Sequence, residues 1–92
     1  MSYIKVNWIH SDPDEPIVLY SELDSGKWET RKVEVFGDGR LGYASATMSS
    51  PGTRLGTEPL PTLEVIASDP QFDLVEISSN EFESIWNKAV GD

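Results

Sequence analysis

Residues 36–43 read FGDGRLGY, and Gly37 to Gly42 fit G-x-G-x-x-G, the spacing with which dinucleotide-binding folds cradle a pyrophosphate. That motif works only where it closes a strand and opens a helix, because the helix N-terminus supplies the N–H groups that face the phosphates. Here the next residues are Tyr43-Ala-Ser-Ala-Thr-Met, with no helical period, and Pro51-Gly52 interrupts the chain soon after. Asp38-Gly39, set between VEVF and LGYAS, instead spells a type I′ hairpin. The stretch therefore predicts a reversal between two strands and no nucleotide site.

Working back from that hairpin, KWETRKVEVF is a strand whose Trp28, Val33, Val35 and Phe36 do not share one parity. A bulge between Trp28 and Val33 reconciles them, as does placing Trp28 at the end of the sheet. Asp24-Ser25-Gly26 is a tight turn from a preceding strand over 17–23, with Ile17 and Leu19 on one face and Val18 and Tyr20 on the other. Before it, SDPDEP is a cluster of turn formers, and Ile4, Val6 and Trp8 alternate with Lys5 and Asn7 in a first strand over 3–10. Residues 1–46 thus predict a four-stranded antiparallel meander.

Beyond the hairpin, 47–61 (TMSSPGTRLGTEPLP) is a long aperiodic loop, of the kind that is often functional or mobile. Thr62 can cap a short helix with Leu63, Ile66 and Ala67 on one face, ended by Asp69-Pro70. Ser78-Ser79-Asn80-Glu81 is a capping box, Ile77 and Phe82 stand at staple positions, and Phe82, Ile85, Trp86 and Ala89 recur at helical spacing. A helix over 79–89 should lay Phe82, Ile85 and Trp86 on one face of the sheet. The expected fold is a single α+β domain over 1–92, with a meander of about four strands, a short helix and a C-terminal helix.

Ninety-two residues with 38% apolar side chains and three each of Trp, Tyr and Phe allow one modest core. There is no cysteine, so neither a disulfide nor a thiolate metal site is available. The N-terminus carries no apolar run of the length that a secretory signal needs, about 7–15 residues, which predicts a cytoplasmic protein. Sixteen acids stand against seven bases, a net charge of −9. Residues 58–92 hold eight of the acids with Lys88 as the sole base. Such a field disfavours direct contact with nucleic acid or anionic membranes and favours a basic partner, although acidic surfaces also serve solubility alone.

No catalytic centre stands out. His10-Ser11-Asp12 holds the residue types of a hydrolase triad, but sequence neighbours in an extended chain do not converge, and His10 is the only imidazole. Asp12, Asp14 and Glu15 lack the glycine and the distal bidentate Glu of an EF-hand loop, so no metal or cofactor is expected. Lys27, Arg31, Lys32 and Arg40 lie where they can pair across strands with Glu22, Glu29 and Glu34. The chain reads as a non-enzymatic binding protein, with a small carboxylate-dependent enzyme as the lesser alternative.

The blocks YIKVNWIHSDPDEPIVLYSELD, WETRKVEVFGDGRLGYAS, GTRLGTEPLPTLEVIASDPQF and EISSNEFESIW together cover nearly the whole chain. They resemble a family of small acidic bacterial domains similar to immunity proteins of polymorphic or contact-dependent toxin systems. The resemblance implies a protein that neutralises a cognate toxin domain by binding it, and it brings no catalytic residues. An acidic inhibitor suits a basic nuclease, whose cleft is built for phosphates. The partner surface is expected on the acidic C-terminal part, at Glu64, Asp69, Asp73, Glu76 and Glu83, with Glu58 and Arg54 at the tip of the 47–61 loop as the next choice. A general interaction module without a toxin partner is the alternative.

Overall fold

The computed structural model describes residues 1–91. Its elements in chain order are β1 (Ser2–Trp8), β2 (Val18–Leu23), β3 (Glu29–Val35), β4 (Leu41–Ser45), α1 (Leu63–Ala67), β5 (Phe72–Glu76) and α2 (Ser79–Gly91). One antiparallel sheet carries the order β4-β3-β2-β1-β5. The α+β class, the first four strands as a meander and the C-terminal helix agree with the sequence. The sheet has five strands, however, and 62–92 is not simply helical.

The FGDGRLGY reversal is a hairpin, as its residues require, but the turn differs from the one expected. Phe36 N–H donates to Arg40 C=O at 2.9 Å and Gly39 N–H to Phe36 C=O at 2.9 Å, and only Gly39 has positive φ (89°). A type I′ turn needs positive φ at both central residues. With Asp38 outside that region, the chain uses a three-residue loop that ends on a left-handed glycine. Within β3, Glu22 pairs with Arg31 while Leu23 pairs with Glu29, so Thr30 is an extra residue: of the two ways to reconcile Trp28 with Val33, the chain uses the bulge.

The register sorts every side chain onto one of two faces. Tyr3, Tyr20, Val33 and Tyr43 share the first, where α2 packs Phe82, Trp86, Ile85 and Ala89 against them. Ser78 Oγ accepts Glu81 N–H at 3.1 Å, the forward half of the predicted capping box. Ile4, Val6, Leu19 and Leu23 share the second face, together with Phe72 and Leu74 of β5. That face is covered by α1 and the 47–61 segment, which contribute Leu63 and Leu60. Within α1, Leu63 and Ile66 turn inward, whereas Ala67 is exposed and does not belong to the buried face.

The 47–61 segment is pinned along the sheet. Ser50 N–H and Oγ both meet the Tyr43 backbone, Ser45 N–H donates to Met48 C=O at 2.7 Å, and Leu60 N–H donates to Lys27 C=O at 2.9 Å. Thr53 is buried and donates its hydroxyl to Glu34 at 2.9 Å. Gly42 makes room for it, since a Cβ there would overlap Thr53 Oγ1. These bonds also occupy the outer edge of β4, which would otherwise stand unpaired.

Candidate functional site

The opposite edge of the sheet is open. Ile9 N–H donates to Gln71 C=O at 2.7 Å and Ile77 N–H to Tyr3 C=O at 3.0 Å. These two bonds set the phase of the β1–β5 ladder: Asp73 and Val75 exchange bonds with Asn7 and Lys5, and the backbone groups of Leu74 and Glu76 point away from the sheet. β5 is short and holds neither proline nor lysine, two devices that commonly blunt an edge. Its side chains alternate across that edge, with Asp73 and Val75 on the α2 face and Glu76 on the covered face. Val75 is 47% exposed.

Four of the six acids singled out from the sequence are exposed and unpaired among the described residues, and three of them, Glu64, Asp73 and Glu76, lie on β5 or on the helix packed against it, whereas Glu58 stands beside Gly56 toward β3. Glu58 is exposed in the covering segment, Glu64 in the first turn of α1, and Asp73 and Glu76 on β5, against which α1 packs. Among the described residues the ion pairs engage Glu22, Glu29, Asp38 and Glu83, so these four carry unpaired charge. From 58 to 76 the chain holds five acids and no base. The fifth, Asp69, is half-buried and partly committed, its Oδ1 accepting Gln71 N–H at 2.9 Å in the turn that aims β5 at the sheet.

Glu83 is the exception. It projects from α2 onto Arg31, far from β5 in the strand order, and Arg31 also grips Glu22 through Nε at 2.9 Å and Nη2 at 2.6 Å. The guanidinium lies 5.0 Å from the Phe82 ring and 5.1 Å from the Trp86 ring, so the cluster joins β2, β3 and α2. Glu22 is only 7% exposed. Its hydrogen bonds from Arg31, supported by Thr30 Oγ1 at 2.7 Å, outweigh burial and hold its carboxyl down at about 2, and the two acids in turn raise Arg31. A strongly shifted group can mark a catalytic site, but here every partner is internal and the cluster acts as a clamp. The sequence does carry a hint of this: Glu83 adjoins Phe82 and precedes Trp86 by three positions, at the border of the buried helical stripe.

The expected pairing of the basic residues is met in part. Arg31 meets Glu22 across strands, Lys32 meets Glu29 on its own strand at 3.8 Å, and Arg40 turns to Asp38 and the Phe36 ring. His10 is engaged locally: Nδ1 accepts Asp12 N–H at 3.0 Å and Nε2 lies 2.8 Å from Pro16 C=O. An amide can only donate and a carbonyl only accept, which assigns the neutral ring with its proton on Nε2. Asp12 accepts Asp14 N–H at 2.9 Å, so its carboxylate serves the turn and does not orient His10. Among the described residues no three His, Asp or Glu side chains converge in metal-binding fashion, and no helix is long and apolar enough to cross a membrane.

No curated protein and no solved structure matches the chain. Residues 2–91 match a family described as a domain of unknown function, DUF6881. That match runs from the start of β1 to the end of α2, and the chain belongs to the DUF6881 family.

Proposed function

We propose that this domain is a non-enzymatic binding protein whose partner is a basic protein surface, and that the partner docks along the β5 edge. The observation that carries this reading is the coincidence of an open strand edge with the 58–76 segment, which has five acids and no base. An added strand would gain backbone hydrogen bonds from Leu74 and Glu76, and basic side chains on it would meet Asp73 and Glu76 from both sides of the sheet. The surrounding field steers such a partner and repels nucleic acid and a second copy of this chain alike.

Within that reading, the resemblance of the sequence blocks to immunity proteins makes a cytoplasmic toxin inhibitor the preferred form, with a nuclease domain as the toxin. Blocking a basic cleft needs acids held on a rigid scaffold and no active site of its own. The test is co-purification of the tagged domain with the product of the gene directly upstream, combined with growth assays of that product with and without the domain. A stoichiometric complex with restored growth supports the reading. A partner captured with no effect on growth reduces it to a general interaction module, and failure of any upstream product to bind removes it.

A further inference from the structure

We infer that the covered face of the sheet holds a binding site for a small apolar carboxylate, with Lys32 as the residue that receives its head group. A cleft of about 310 Å³, open to solvent along one side, lies between the sheet and its cover. Its walls are Ile4, Val6, Leu19 and Phe72 from the strands, Leu60 from the covering segment and Ile66 from α1. Ser21, Glu29 and Lys32 line its polar part. An apolar cleft of this size with a few convergent polar groups is the usual form of a ligand site.

The register explains the polarity gradient. On this face one row across the sheet runs Ile4, Ser21, Lys32 and the next runs Val6, Leu19, Glu34, so apolar side chains stand over β1 and charged ones over β3. A bound molecule would therefore lie across the strands with its apolar end on Leu19, Leu60, Ile66 and Phe72, above the buried Ile4 and Val6, and its polar end toward β3.

Chemistry at the polar end selects the head group. Both oxygens of Glu29 are already used, Oε2 accepting from Ser21 Oγ at 2.9 Å and Oε1 from Gly56 N–H at 2.8 Å. Lys32, by contrast, has its nearest carboxylate at 3.8 Å, beyond hydrogen-bond distance, though its side chain is only 17% exposed. Its ammonium thus offers donors that a ligand carboxylate can accept in a charge-assisted bond. The net charge of −9 opposes anions at long range, but that field is screened over about 8 Å at physiological salt, while a shielded contact is not. Octanoate, with an apolar tail and a carboxylate head, is a probe of the required chemistry.

The site is on the covered face and does not depend on any partner at the β5 edge. It is tested by titrating the intact domain with octanoate and, separately, with 1-octanol, following backbone amide shifts by NMR. Octanoate should perturb Ile4, Leu19, Lys32 and Leu60 and bind at least about tenfold more tightly than the alcohol, given the worth of a hydrogen bond to a charged group. Lys32→Met keeps the aliphatic stem and should abolish that preference while the alcohol still binds. Ile66→Trp, which fills the cleft, should remove binding of both. Equal affinity for acid and alcohol, a preference that survives Lys32→Met, or an absence of shifts at millimolar octanoate overturns the inference.

Discussion

Replacing Arg31 with Met should destabilise the domain by about 3–5 kcal/mol, the usual cost of leaving one member of a buried ion pair without its partner. Glu22 is 7% exposed and takes two of its three short hydrogen bonds from Arg31, so the variant leaves a buried carboxylate with only the neutral hydroxyls of Thr30 and Tyr3 and no counter-charge. Loss of the guanidinium over Phe82 and Trp86 adds about 0.5–1 kcal/mol per ring at most, partly recovered by the Met side chain. Glu83→Gln should cost no more than about 1 kcal/mol, since that carboxylate is 44% exposed and solvent screens its pairing. The double variant Arg31→Met/Glu22→Met should be more stable than Arg31→Met alone, because it removes the orphaned charge.

The pH dependence follows with a definite sign. In the native protein Glu22 titrates at about 2, below its ordinary value of 4.5. Its stabilisation is therefore complete above pH 4.5 and is lost as pH falls toward 2, in the direction of about 2–3 kcal/mol in all. Without Arg31 the strongest influence holding Glu22 down is gone, leaving Thr30 and Tyr3 against burial, so the variant should lose less stability than the native domain as pH falls toward 2. Urea unfolding followed by tryptophan fluorescence at several pH values measures both effects. A penalty under 1 kcal/mol for Arg31→Met, or a double variant no better than the single one, would show that the cluster is not a clamp.

Three further outcomes follow. Leu74→Pro should leave the β1–β5 ladder intact, because its N–H points outward, but abolish capture of the partner, whereas Leu74→Ala, the control for lost packing, should still bind; circular dichroism and pull-down read the two. Changing Asp69, Asp73 and Glu76 together to amides should slow partner association more than it speeds dissociation, and should flatten the salt dependence of the on-rate in a stopped-flow or surface-capture experiment. Gly42→Ala should cost about 1–3 kcal/mol by pushing Thr53 and the covering segment off the sheet, seen as a lower urea midpoint and faster amide exchange over 50–56.

Strand β5 shows where reading the chain in order falls short. Phe72, Leu74 and Glu76 alternate with Asp73 and Val75, yet five residues with a charge on each face look as much like a linker as a strand. What makes them a strand is the second edge of β1, whose N–H and C=O groups need partners that no local pattern announces. Glu83 fails for a related reason. Its neighbours in sequence mark the border of a buried stripe, but the cation that claims it lies 52 positions earlier on β3. The 47–61 segment likewise carries loop residues and becomes a cover only because Gly42 leaves space for Thr53 and Glu34 waits beside it.

By itself the sequence determined the α+β class, the four-stranded meander, the hairpin at Gly37–Gly42 in place of a phosphate loop and the capped C-terminal helix, and it narrowed the mismatch between Trp28 and Val33 to two readings, of which the structure shows the bulge. All of these rest on contacts between residues near in the chain, where period, turn chemistry and caps leave their mark. It also located the excess of negative charge in 58–92. Only the tertiary structure decided which acids remain free at the β5 edge, which one is spent on Arg31, and that a cleft with Lys32 and Glu29 at its polar end lies beside the cover. Those outcomes depend on register and on pairings between distant strands, and a one-residue slip would send each side chain to the other face.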